Sequence, residues 1–108
     1  MTDRLPTHLI VGALLRRVND AGGIGMVRAR GDATGGAIIV LIEDRTGPTR
    51  VLERTIGFDG VASLTDSAPF GGAESYWRRR RSSDPDLWVV ELDVPEAERF
   101  AAEMILTN

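Results

Sequence analysis

The chain has no cysteine and no lysine, a single histidine, and no apolar stretch of membrane-spanning length. Without cysteine there is no thiol nucleophile, no thiolate zinc site and no disulfide framework, so a reducing cytoplasm is the expected compartment. Without lysine there is no Schiff base, no phosphate-loop lysine and no lysine general base. The lone histidine, His8, is a bare minimum for a hydrolytic triad, and no serine sits in a G-x-S-x-G setting to complete one. The longest apolar run in strand-like sequence, residues 37–42, is far short of the ~20 residues that a bilayer span requires, so no membrane role is expected. The opening Met1-Thr2-Asp3-Arg4-Leu5-Pro6 is polar and carries an acid where a leader would carry a basic segment and an apolar run, so no signal peptide is expected.

What is present is a 108-residue chain with 13 arginines, 16 acidic residues and a formal net charge of −3. A chain of this size buries roughly 60–65% of its unfolded surface and folds without staples, so residues 1–108 are expected to form one domain. The negative balance excludes a surface built throughout for nucleic acid and leaves room for a local basic patch.

Thr7 is placed to cap a helix over residues 8–20, with Ile10, Val11, Leu14, Leu15 and Val18 in one apolar stripe and Gly22-Gly23 as its stop. Gly12, inside that helix, is expected to mark a close approach by another backbone. A weakly alternating strand over 24–30 leads through Gly31-Asp32-Ala33-Thr34-Gly35-Gly36 into 37–44, apolar on both faces and therefore central. The turn Arg45-Thr46-Gly47-Pro48 precedes a mixed strand over 49–56, and these three strands read as an antiparallel meander. A short strand is expected at 61–64. Pro69 and Gly71-Gly72 break the chain before a second helix over 73–81, and a strand over 87–93 follows. Pro95 suits the first position of a terminal helix, whose stripe is Ala97, Phe100, Ala101, Met104 and Ile105. The expected fold class is α+β: a single domain with an antiparallel sheet of about four strands and three helices.

The richest chemistry lies between Trp77 and Asp93. Successive helical residues are 100° apart, so Arg78, Arg79, Arg80 and Arg81 fan around the helix and cannot form one flat patch. Arg78 shares a face with Arg81, Tyr76 with Arg80, and Trp77 with Arg81. Near a helix C-terminus these cations complement the dipole, and Asp84 and Asp86 stand ready as counter-ions. The same guanidinium forks suit an acidic protein or a nucleic acid, with Tyr76 or Trp77 available to stack. Arg30 and Asp32, in the glycine-rich loop, complete the set of candidate binding residues. That loop matches neither G-x-G-x-x-G nor G-x-x-x-x-G-K-[ST] and opens a strand, where a dinucleotide fingerprint opens a helix. Trp88, in a strand of Val and Leu, is expected in the core.

Asp84, Asp86, Glu91 and Asp93 raise the alternative of a small metal-dependent enzyme. Metal sites want ligands converging from several elements. Here two acids flank a proline, a pattern that suits a turn in which an aspartate accepts backbone N–H groups, and two lie along one strand. No resident metal or cofactor is therefore expected. The leading expectation is a non-catalytic binding or accessory module working through the arginine cluster; a homodimer joined by an exposed strand edge or the terminal helix is a third.

Two segments carry a family likeness. Arg28-x-Arg30-Gly31-Asp32-Ala33-Thr34-x-Gly36-Ala37 running into a hydrophobic strand, and Ser83-Asp84-Pro85-Asp86-Leu87-Trp88-Val89-Val90-Glu91-Leu92, together with the helical pair Arg16-Arg17, resemble the small bacterial proteins catalogued as domain of unknown function 1491. The likeness runs over nearly the whole chain, and Asp-Pro-Asp-Leu-Trp is its most specific part. It implies a stand-alone cytoplasmic protein and brings no activity, cofactor or catalytic residue with it.

Overall fold

Residues 87–92 are almost wholly apolar, so this segment has to be covered on both faces, and that requirement sets the topology. In the computed structural model, which describes residues 5–107, the chain runs α1 (Thr7–Asp20), β1 (Ile24–Ala29), β2 (Ile38–Ile42), β3 (Arg50–Ile56), β4 (Ala62–Asp66), α2 (Ala73–Ser83), β5 (Trp88–Asp93) and α3 (Ala97–Ile105). The opening Met1-Thr2-Asp3-Arg4, on which the expectation of no leader partly rests, and Asn108 lie outside the described residues.

The sheet has five strands, in the order β1-β5-β2-β3-β4. β5 enters between β1 and β2, antiparallel to the first and parallel to the second, with Val90 level with Val40. The α+β class holds, with two corrections. The sheet gains a fifth strand and one parallel pair, and the expected β1-β2-β3 meander does not form. The reason is burial: Val89 and Val90 are wholly buried on opposite faces, a position only an interior strand provides. β3 and β4 do form an antiparallel pair, with β4 longer than the short strand expected.

Strand alternation then sorts the core into two layers. Val40, Ile42, Leu52, Trp88, Val90 and Leu92 face α1 and α3, where they meet Val11, Leu14 and Val18 and Ala97, Ala101 and Ile105. Ile39, Leu41, Val51 and Val89 face α2 and meet Ala73 and Trp77. Both helical stripes read from the sequence are on the buried sides, and Trp88 is a core residue.

Three local expectations change. Pro6, not Thr7, stands at the N-cap of α1, and the Thr7 hydroxyl instead donates to the Gly36 carbonyl at 2.8 Å. α3 starts at Ala97 because Glu96, at φ 59°, is left-handed, so Pro95 belongs to the preceding turn. No backbone approaches Gly12: a Cβ there would meet only the Arg16 guanidinium, at 3.5 Å.

The close approach lies elsewhere. A Cβ at Gly31 would stand 2.1 Å from the Asp86 carbonyl oxygen, and one at Gly36 would stand 2.0 Å from it and 3.0 Å from the Trp88 ring. Around this contact Asp32 N–H donates to Asp86 O at 3.0 Å, Trp88 Nε1–H to Asp32 O at 2.7 Å, and Trp88 N–H to Ala37 O at 2.8 Å. The loop also serves α1, since Thr34 O and Ala33 O accept the N–H groups of Thr7 and His8, donors that a helix start otherwise leaves unpaired. His8 Nδ1 lies 3.0 Å from the Ala33 oxygen as well.

Gly36→Ala is therefore expected to destabilise the protein by about 2 kcal/mol or more, as overpacking against rigid backbone does. Gly12→Ala is expected to stabilise it by up to about 1 kcal/mol, the helix-propensity difference. Urea unfolding of the two variants beside the parent checks both, and equal midpoints for all three would contradict the close-approach assignment.

Candidate functional site

α2 lies across the sheet with Ala73 and Trp77 buried beneath it, which sends its arginines to two flanks. On the flank toward β3, the Arg80 guanidinium and the Tyr76 hydroxyl both donate to the Glu53 carboxylate, and Ser67 Oγ donates to it at 2.6 Å. Burial alone would raise the Glu53 pKa; the three donors and the Arg80 charge outweigh it and hold the carboxyl below its ordinary value near 4.5. Arg79 extends over the Tyr76 ring, 5.8 Å from its centroid.

On the flank toward β1, Arg78 pairs with Glu74 at 2.6 Å one turn earlier. Arg28 bridges Glu91 at 2.6 Å and Glu74 at 3.2 Å. Arg28 and Arg78 both sit over the Trp77 ring, at 5.3 and 4.8 Å from its centroid. Hydrogen bonding by Arg78, reinforced by Trp77 and the charge of Arg28, lowers the Glu74 pKa despite some desolvation. Arg81 donates to the Arg30 carbonyl at 2.7 Å, and Arg30 in turn covers the Trp88 ring at 5.2 Å.

The candidate residues thus divide. Arg80 and Tyr76 are committed to Glu53. Trp77 is buried and already covered by two guanidiniums. Asp32 holds its own loop, its carboxylate accepting from Thr34 N–H at 3.1 Å and Gly35 N–H at 2.8 Å. Arg78 is half committed, through an exposed pair. Among the described residues, Arg30, Arg79 and Arg81 have no carboxylate partner within ion-pair distance. Arg81 Nε is buried and has no hydrogen-bond partner, whereas buried polar groups normally have one.

The arginines do not pair with Asp84 or Asp86. Asp84 Oδ1 accepts the Asp86 N–H at 3.1 Å in the turn expected for Asp84-Pro85-Asp86, Glu91 is taken by Arg28, and Asp93 lies 3.7 Å from Arg45. Among the described residues, no group of three or more histidine and acidic side chains is placed to hold a metal ion.

The counter-ions that matter, Glu53 and Glu74, were outside the candidate set. Glu53 had a readable signal: in Val51-Leu52-Glu53 it shares the inward side of buried Val51, and a carboxylate at such a position needs a cation.

Such a site on such a fold defines a small α+β protein whose arginines are mostly fastened to its own acids. The chain belongs to the family described as "Protein of unknown function (DUF1491)", whose model matches residues 5–102. A crystal structure of a DUF1491 family protein from Caulobacter crescentus CB15 is similar at 30% identity and a TM-score of 0.78, over 90% of this chain and 94% of that one. An NMR structure of a DUF1491 family protein from the same organism gives 30% and 0.73, over 89% and 91%. The solution structure of a protein from A. tumefaciens gives 30% and 0.68, over 86% and 88%. No curated protein matches the chain in sequence. Among the described residues no helix is long and apolar enough to cross a membrane.

Because the folded-state pKa of Glu53 is depressed, its contribution to stability is complete above the ordinary carboxylate range and is lost as pH falls through the lowered value. Glu53→Gln is expected to cost about 1–2 kcal/mol at pH 7, discounted for the partial exposure of Arg80. Thermal unfolding of both proteins from pH 7 to 2.5 should show the gap closing at the acid end. A gap constant with pH would remove Glu53 as the cause.

Proposed function

We propose that this protein is a non-catalytic binding module that takes an acidic segment of a partner protein at Arg30 and Arg81, with Arg78 beside them. The observation that carries the reading is the pairing of two arginines, joined through the Arg30 carbonyl, that have no carboxylate of their own and include a buried, unpartnered Nε–H. A carboxylate docked against the two guanidiniums would neutralise both charges.

The neighbourhood favours an acidic protein over a nucleic acid. The buried Trp77 offers no free face on which a base could stack. β1 is the outer strand on this side of the sheet, and Ile24 and Met26 are exposed along it. An extended acidic segment could add to that edge as a further strand while its carboxylates reach the arginines. The metal-dependent enzyme has no comparable support, since its four acids are dispersed. A cysteine-free chain suits a reducing cytoplasm.

Tagged protein and an Arg30→Glu/Arg81→Glu variant, both checked for folding, would be used to capture partners from native lysate with and without nuclease. The expected result is a nuclease-resistant protein partner whose retention falls at least tenfold in the variant. Unchanged retention would sink the reading, and capture abolished by nuclease would replace it with nucleic-acid binding. Light scattering on the same samples tests the remaining occupant: a doubled mass abolished by Met26→Lys would assign the β1 edge to a second copy.

A further inference from the structure

Where β2 begins, the N-terminal turn of α1, the last turn of α3 and the Arg80 end of α2 surround a cleft of about 300 Å³. Such a volume holds roughly ten waters and falls at the lower bound for small-ligand cavities. Its walls differ in character. Ile10, Ile38 and Ile105 supply an apolar side, Gly35, Gly36 and Ala37 a backbone rim without bulky side chains, and Arg54 and Arg80 the cations.

The charges there do not cancel. Arg80 is neutralised by Glu53, which also lines the cleft, whereas Arg54 makes no ion pair among the described residues. Arg54 and Ile38 occupy adjacent strands, one step beyond the Ile39–Glu53 pair, so an uncommitted guanidinium borders the isoleucines. A site that is apolar on one side and carries one net positive charge on the other suits a small molecule with the opposite division. The glycine at 36 is fixed by the Asp86 contact, which also keeps the rim low.

We propose that this cleft is a binding site for a small amphipathic anion, its short aliphatic part against Ile10, Ile38 and Ile105 and its carboxylate or phosphate head on Arg54. The site is separate from the Arg30–Arg81 flank and stands whether or not an acidic partner binds there.

The probes are hexanoate, hexyl phosphate and hexanol, followed by amide NMR on the ¹⁵N-labelled protein. Saturable shifts at residues 35–38 are expected with an anion at about millimolar concentration, with hexanol at least tenfold weaker. A response to only one of the two anions identifies the head group. Arg54→Gln should weaken anion binding about tenfold or more and Arg54→Lys should restore most of it, both with unchanged thermal midpoints because Arg54 is exposed and unpaired. No saturable shift with either anion, or equal binding of hexanol and hexanoate, or indifference to Arg54→Gln, overturns the proposal.

Discussion

The Asp86 carbonyl, held against two glycines, is the contact on which the rest of the molecule is hung. Any side chain at residue 31 or 36 would put an atom about 2 Å from that oxygen. Neither glycine is left-handed, so the requirement is space and not backbone conformation. With the carbonyl seated, the loop's remaining groups fall into place: Asp32 O receives the Trp88 indole, Ala33 O and Thr34 O cap α1, and Gly36 O takes the Thr7 hydroxyl. One short loop thereby fixes the entry of β5 into the sheet and the start of the helix that covers it. The two sequence segments that carry the family likeness are the two halves of this joint.

The arginines follow from the same geometry. α2 ends directly before Asp84-Pro85-Asp86, so the joint also sets where its cations lie. Two glutamates reach them, one from β3 and one a turn back, and each satisfies three donors: Glu53 takes Ser67, Tyr76 and Arg80, and Glu74 takes Arg28, Trp77 and Arg78, while Glu91 fastens Arg28 to the sheet. Exposed ion pairs contribute little individually, but the Glu53 set is half-buried and its loss would leave a guanidinium without an anion. Of the four arginines in the run, Arg78 and Arg80 are thus fastened to the chain's own glutamates, and Arg79 and Arg81 are left without a carboxylate among the described residues.

Periodicity made the helices legible. The stripes of α1 and α3 have one buried side each, and 3.6-residue spacing states that directly. It could not state sheet order. β5 reads as a buried strand from Leu87-Trp88-Val89-Val90, yet insertion between β1 and β2 depends on contacts across some fifty residues, which no local pattern encodes. The same limit applied to the candidate site. Tyr76, Arg80 and the other α2 residues were visible as a cluster, but Glu53 lies 27 residues from Arg80, so the cluster looked freer than it is. Trp77 illustrates the converse: an aromatic beside arginines suggests a stacking surface, and burial against Val89 and Leu41 had already claimed it.

β1 shows how an outer strand can be secured and still leave chemistry exposed. Its pairing with β5 skips between Val27 and Ala29, making Arg28 the extra residue of a bulge. Bulges twist a strand locally and redirect the side chain they carry. Here the redirected side chain reaches Glu91 and Glu74 and ties the edge strand to α2 across the Trp77 ring. Arg30 lies beyond the bulge, where the strand has ended and the joint begins. It is held by its backbone carbonyl and by the Trp88 ring, neither of which neutralises its charge. The fold thus needs the position of Arg30 but leaves its charge unused, and the same holds for Arg81 beside it.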